Sequence, residues 1–308
     1  METSSIRLAA EDGVELFVYC WVPDGPPRAV VQIAHGMAEH GGRYARLAGA
    51  LTAAGYAVYA NDHRGHGRTA RTLEELGFFA ETDGWAKSVT DLWQVNRRIA
   101  ADYPGTPIIF LGHSMGSFLG QDFIAQHGGA LAGVVLAGSN GKPPAMAALG
   151  KLLARLEMLR IGQRGRSALL DRLGFGAFNT SFEPARTPLD WLSRDPLEVD
   201  EYIADPLCGG PSTTQLWIDL LGGLSRIARP ALQAQIPRDL PIHLIAGSRD
   251  PVTGNTKGVE HLIHAYRKAG LTRISHRFYA GARHELFNET NRDEVTRDLI
   301  AWLQEVRR

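Results

Sequence analysis

Apolar and polar positions along this chain fall into two regimes. Residues 14–22 (VELFVYCWV) alternate, and with an Asp12-Gly13 turn and residues 5–9 they predict an opening antiparallel hairpin. After Pro26-Pro27 the pattern changes to short apolar runs that read as buried strands: 29–35, 56–61, 107–113, 132–138, 241–247 and 273–280. Amphipathic stretches separate them. Residues 84–102 place Trp85, Val89, Leu92, Trp93 and Ile99 on one helical face, and 119–126, 256–269 and 291–306 are further helices. The last of these opens at Asn291, with Glu294 in the capping-box position. Buried strands alternating with helices predict an α/β fold around a mostly parallel sheet.

Residues 140–235 break that alternation with mostly helical, Leu/Arg-rich sequence. The chain therefore divides into a core, 1–139 and 236–308, and an inserted helical cap, 140–235. From 142 to 172 the insertion carries Lys142, Lys151, Arg155, Arg160, Arg164, Arg166 and Arg172 against Glu157 and Asp171, a local net of +5. A solvated helix face explains this, and attraction to an anionic lipid surface is the alternative.

Composition narrows the class further. With 308 residues, 44% of them hydrophobic and 21% charged, the chain is an ordinary globular protein with room for a sizeable core. Its formal net charge of +0 provides no footprint for nucleic acid. Cys20 and Cys208 cannot build a disulfide framework and match no zinc spacing. No apolar run is long enough to span a membrane, and the N-terminus lacks a basic segment followed by an apolar one. A cytoplasmic protein is expected, with peripheral membrane contact through the cap left open.

The strongest chemical signal is Gly112-His113-Ser114-Met115-Gly116. It follows directly on the run 107–113 and opens a helical stretch, which is the setting of a nucleophilic serine on a tight strand-to-helix turn. A serine hydroxyl needs a base, and that base needs an orienting acid. On such a sheet the acid and then the histidine come from loops after later strands. Two loops meet that order: Ser248-Arg249-Asp250-Pro251 and Gly281-Ala282-Arg283-His284-Glu285. Ser114 is read as nucleophile, His284 as base and Asp250 as the acid, with Asp195 and Asp205 in the insertion as weaker acid candidates. The backbone N–H groups of Met115 and of Met37, in the loop after the run 29–35, are the expected oxyanion donors. The segment Asp62-His63-Arg64-Gly65-His66-Gly67 has zinc-type ligands but no distant partner cluster, so it reads as a hydrogen-bonded turn. No metal or cofactor is expected.

HGMAEHGGRY (35–44), NDHRGHGRT (61–69), GHSMG (112–116), GSRDPV (247–252) and GARHELFNETNRDEV (281–295) together resemble the bacterial α/β-hydrolases of the monoacylglycerol lipase and lysophospholipase group. The resemblance spans about 30 to 308 and implies the α/β-hydrolase fold, with a helical cap over an acyl tunnel and a small amphiphilic ester as substrate. It agrees with the triad and oxyanion assignments above. It also places Glu39 and Arg43 near the alcohol end of the site, where a role in pinning the loop is an equal reading. The sequence departs from many members at Ser117, where a second glycine is common, and Ser117 is expected to tighten the turn. The cap is its least similar part. Leu153, Leu156, Phe178 and Trp217 are the cap side chains expected to line the acyl pocket. The rivals are a short-chain carboxylesterase, an aminopeptidase or perhydrolase on the same triad, and a non-catalytic binding protein.

Overall fold

The computed structural model of the chain describes residues 2–141 and 147–306. Lys142, counted above among the basic residues, lies outside them. Eight strands form one sheet: β1 (Glu2–Ala9), β2 (Glu15–Val22), β3 (Val30–Ala34), β4 (Ala57–Asn61), β5 (Ile108–His113), β6 (Gly133–Ala137), β7 (Ile242–Gly247) and β8 (Ile274–Tyr279). Their spatial order is β1-β2-β4-β3-β5-β6-β7-β8. The first hairpin and the β2–β4 pair are antiparallel, and every later pair is parallel.

The five strands β3 to β7 are short apolar runs because both faces of each are covered. Val31, Ile33, Ile109, Leu111, Val135 and Ala137 feed one core, under α1 (Ala45–Ala53) and the C-terminal helix Arg292–Val306. The alternate positions Val30, Phe110, Val134, Leu136 and Leu244 feed the other. That core is shared with α2 (Gly84–Asp102), α3 (Met115–His127) and the helix Lys257–Lys268. Period-two alternation therefore sorts each strand's side chains into two separate cores.

The predicted strands are all present, and helix 84–102 has the predicted limits. Two differences have local causes. The helix expected at 119–126 begins at Met115, because it starts immediately beyond Ser114. Helix α1 was not expected: its buried Leu47, Ala48 and Leu51 are interleaved with small residues that blur the periodicity.

Among the described residues five α-helices follow β6 in the insertion: α4 (Ala147–Ile161), α5 (Ala168–Phe175), α6 (Pro196–Ala204), α7 (Thr214–Ile227) and α8 (Pro230–Gln233). The two helices near the C-terminus are thus α9 (Lys257–Lys268) and α10 (Arg292–Val306). Ser167, Asp195 and Thr213 cap α5, α6 and α7 by accepting hydrogen bonds from Leu170, Leu197 and Leu216 N–H. Helix α7 rests directly on the core, with Trp85 of α2 lying over Gly223, where a Cβ would come within 2.2 Å of the indole.

Candidate active site

Ser114 sits between β5 and α3 with φ 51° and ψ −121°, a left-handed backbone that a side-chain-bearing residue adopts only where its surroundings impose it. Those surroundings are two glycines. A Cβ at Gly116 would lie 2.1 Å from the Ala34 carbonyl oxygen, and one at Gly112 would lie 2.6 Å from that of Gly116. Close crossing of β5, α3 and β3 therefore forces the turn. Ser114 N–H donates to Ala137 O at 2.9 Å, and Ser117 Oγ donates to the Ser114 carbonyl at 2.6 Å. Ser114 occupies the cap position of α3 without its side chain capping the helix, so its hydroxyl remains for other work.

His284 and Asp250 come from the loops after β8 and β7, and both are buried. His284 Nδ1 donates to Asp250 Oδ2 at 3.0 Å, and Asp250 Oδ1 accepts Val252 N–H at 2.9 Å. With Nδ1 protonated, the neutral ring keeps its lone pair on Nε2. Gly138, at the end of β6, lets the imidazole approach, since a Cβ there would stand 2.9 Å from His284 Cε1. The other acid candidates lie elsewhere. Asp195 caps α6 and pairs with Arg292, and Asp205 accepts from His40.

Met115 is buried at the start of α3, where the first N–H groups of a helix have no intrahelical acceptor. Met37 is partly buried and packs against the sheet core in the loop after β3. That loop is braced by Glu39. Its Oε1 accepts from Gly36 N–H (2.6 Å), Tyr44 Oη (3.0 Å) and His113 Nδ1 (3.2 Å), and its Oε2 accepts from Arg43 (2.8 Å). Arg43 in turn forks onto Glu285 at 2.6 and 2.8 Å and lies over the Tyr202 ring at 4.8 Å. Burial works to raise both acids, but Glu39 is held well below the usual carboxylate range by the His113 hydrogen bond and by Arg43. Glu285 is likewise lowered by Arg43, against burial. The side chains of Glu39 and Arg43, expected near the alcohol end of the site, are thus engaged with the protein. They clamp the loop after β3 to the residue following His284.

The inserted region meets His284 through aromatic rings. Trp191 packs on His284 with centroids 5.2 Å apart, Phe178 lies 5.0 Å from Trp191, and Phe175 bridges to Trp217 at 5.4 Å. His284 N–H also reaches Trp191 O at 3.4 Å, and Glu285 N–H donates to Leu192 O at 2.8 Å. Phe178 and Trp217 belong to this cluster as expected apolar cap residues, and Leu153 packs inward on the core beside buried Ala154. Leu156 is a correction. It lies on the outer side of α4 and is 53% exposed, because the inner side of that helix is taken by contact with α7. Trp191 and Phe175 were legible only as apolar residues of the insertion, since nothing in their spacing marks their closeness to His284.

Two histidine-bearing clusters raise the question of a metal. His40 Nε2, Asp205 and Cys208 bring one ligand atom each within 4.8 Å of one another. His40 Nδ1, however, accepts Gly42 N–H, which leaves the ring proton on Nε2 for Asp205 at 2.9 Å. The donor set thus forms a histidine–carboxylate hydrogen bond rather than a ligand set. The turn 62–67 is hydrogen-bonded: Asp62 accepts Gly41 and Arg68 N–H, and Arg64 pairs with Asp91 and Asp12. His63 donates from Nε2 to His35 O, and His35 Nε2 accepts His63 N–H.

An eight-stranded sheet with this order, a strained serine after its fifth strand and a buried histidine–aspartate pair on the loops after β7 and β8 define an α/β-hydrolase. The family model described as "Serine aminopeptidase, S33" matches residues 25–291, and the chain belongs to that family. It is 30% identical to a monoacylglycerol lipase of Mycolicibacterium smegmatis, over 97% of this chain and 96% of that protein. It is 31% identical to the human monoglyceride lipase, over 96% of this chain and 87% of that one. Among solved structures it is similar to a thermostable carboxyl esterase from Bacillus coagulans in complex with glycerol, with a TM-score of 0.92, 28% identity and full coverage of both chains. The chain is an esterase/lipase-type α/β-hydrolase of the group that includes the monoacylglycerol lipases.

Proposed function

We propose that the protein hydrolyses single-chain carboxylic esters such as monoacylglycerols or lysophospholipids through an acyl-enzyme on Ser114. The observation that carries this reading is the strained Ser114 together with the 3.0 Å His284–Asp250 pair on the loops after β7 and β8. Ser114 Oγ attacks the ester carbonyl while His284 Nε2 takes its proton, and Asp250 stabilises the imidazolium that forms. The main-chain N–H groups of Met37 and Met115 receive the developing oxyanion. His284 then protonates the leaving alcohol, and a water activated by the same ring releases the acid.

Several observations support this substrate class. Relatives over nearly the full length are monoacylglycerol lipases, and the similar esterase holds glycerol. The aromatic cluster of Phe175, Phe178 and Trp191 beside His284 suits an acyl chain. An aminopeptidase needs a carboxylate for the substrate ammonium, whereas Glu39 and Glu285 are already paired with Arg43 and His113.

The cap also carries an apolar stripe. Leu149, Leu152, Leu156 and Leu159 recur at helical spacing along α4 and are 44%, 52%, 53% and 81% exposed, with Leu169 and Leu173 on α5. Exposed Arg155 and Arg172 lie on the same two helices. In contrast, Arg164 stacks on Phe78 and Arg166 donates to carbonyls at 73–76. We read this stripe as the surface that rests on an anionic bilayer while substrate enters.

The test is a panel of p-nitrophenyl esters from acetate to palmitate, a 1-monoacylglycerol and a lysophosphatidylcholine, with Ser114→Ala as control. A maximum at octanoate or longer with monoacylglycerol turnover, lost in Ser114→Ala, is expected. A maximum at acetate or butyrate without lipid turnover overturns the substrate class and leaves a short-chain esterase.

A further inference from the structure

The residue preceding the nucleophile has a part that the triad does not assign. His113 is buried, and each of its ring nitrogens faces an oxygen: Nδ1 lies 3.2 Å from Glu39 Oε1 and Nε2 lies 3.3 Å from the main-chain oxygen of His284. A neutral imidazole can donate from only one nitrogen. The His284 carbonyl cannot donate. Nor can Glu39, which takes hydrogen bonds from Gly36, Tyr44 and Arg43 and so has the surroundings of an ionised carboxylate. Two acceptors therefore face one ring, and both contacts are hydrogen bonds only if both nitrogens carry protons.

We propose that His113 is a permanently protonated positioning residue, an imidazolium that ties the main chain of His284 to the carboxylate of Glu39. The inference rests on the reading of Ser114, Asp250 and His284 as the triad. Charge balance supports it. Glu39 and Glu285 are two buried negative charges in contact with the single guanidinium of Arg43, and the His113 cation brings the group to neutrality. Burial works against a charged His113, yet the Glu39 hydrogen bond and the charges of Glu39 and Glu285 raise it from its ordinary value.

The arrangement has a consequence for the geometry of the site. His113 adjoins Ser114 in the chain, so its bond to the His284 carbonyl fixes the base relative to the nucleophile. In addition, its ring centroid lies 4.7 Å from that of His284. The groups that face the pair are Glu39 with Gly36 from the loop after β3, Arg43 beyond Glu39, Glu285 beside His284, Asp250 from the loop after β7, and Trp191 from the cap.

The inference is tested by nitrogen NMR on ¹⁵N-histidine-labelled Ser114→Ala protein, which reads the ring directly and does not depend on turnover. Both His113 nitrogens are expected to be protonated at neutral pH, with the second proton lost in Glu39→Gln. A neutral His113 tautomer in the Ser114→Ala protein overturns the proposal. In the active enzyme, His113→Asn is expected to lower kcat by roughly tenfold with KM nearly unchanged, because the bond that sets His284 against Ser114 is lost. An unchanged kcat in that variant overturns the positioning role. Full activity in Ser114→Ala would sink the triad instead, while the protonation state of His113 would still be read.

Discussion

Several buried histidines of this protein differ in charge because their partners differ. His113 sits between acceptors, whereas His63 and His66 are pushed down to about 3 and about 4 by burial, with His66 adding to the effect on His63. Both rings are therefore neutral in the folded protein and take up protons near pH 6.5 once unfolded. The sign follows directly. Their contribution to stability is complete above about pH 6.5 and is lost as pH falls toward the folded values, at up to about 1.4 kcal/mol per pH unit for each ring. The urea midpoint is expected to fall between about pH 7 and pH 5, and to fall less steeply in His63→Asn/His66→Asn. An equal slope in that double variant would mean that other groups set the acid sensitivity. At this scale the candidates Ser114, Asp250 and His284 were legible, because each sits in a recognisable loop after a recognisable strand. The Glu39–Arg43–Glu285 bridge was not, since Arg43 and Glu285 are 242 residues apart and only folding brings them together.

The junction of β5 with α3 shows how elements set chemistry. Strand, helix and the loop after β3 cross so closely that Gly116 must lack a side chain, and that crossing is what twists Ser114 into its left-handed conformation. Gly116→Ala would push a methyl group into the Ala34 carbonyl. It is expected to cost about 1–3 kcal/mol of stability, read as a lowered urea midpoint. It should also abolish labelling of Ser114 by a fluorophosphonate probe, because relief of the clash reorients the turn. Labelling at the normal rate would show that the turn tolerates the shift. The alternation of apolar residues made β3 to β7 readable, since strands buried on both faces admit little else. Helix α1 was unreadable for the opposite reason: Ala and Gly dilute its buried stripe.

For the molecule as a whole, the cap has one face packed on the core and another turned outward. Helix α7 is fixed to α2 through Trp85 and Gly223, while α4 turns its leucine stripe outward. The protein is expected to co-sediment with vesicles containing phosphatidylglycerol more strongly than with pure phosphatidylcholine vesicles. Leu156→Glu/Leu159→Glu should lose that binding and most turnover of vesicle-borne monoacylglycerol, yet retain hydrolysis of soluble p-nitrophenyl butyrate. Equal binding to both vesicle types, or binding unchanged in the double variant, would rule the stripe out as a docking face. Among the described residues no helix is long and apolar enough to cross a membrane.

By itself the sequence determined the sheet, the place of the inserted helices and the three loops that carry Ser114, Asp250 and His284. Each of those is written in local pattern: periodicity, turn residues and chain order. Tertiary structure alone decided which charges meet. The pairing of Arg43 with both Glu39 and Glu285, the two acceptors around His113, and the packing of Trp191 on His284 join segments that share no local signal. It likewise decided that Leu156 faces outward, because a helical stripe in sequence does not say which side of the helix another helix will cover. Side-chain contacts and protonation depend on distance and burial, and neither quantity exists until the chain has folded.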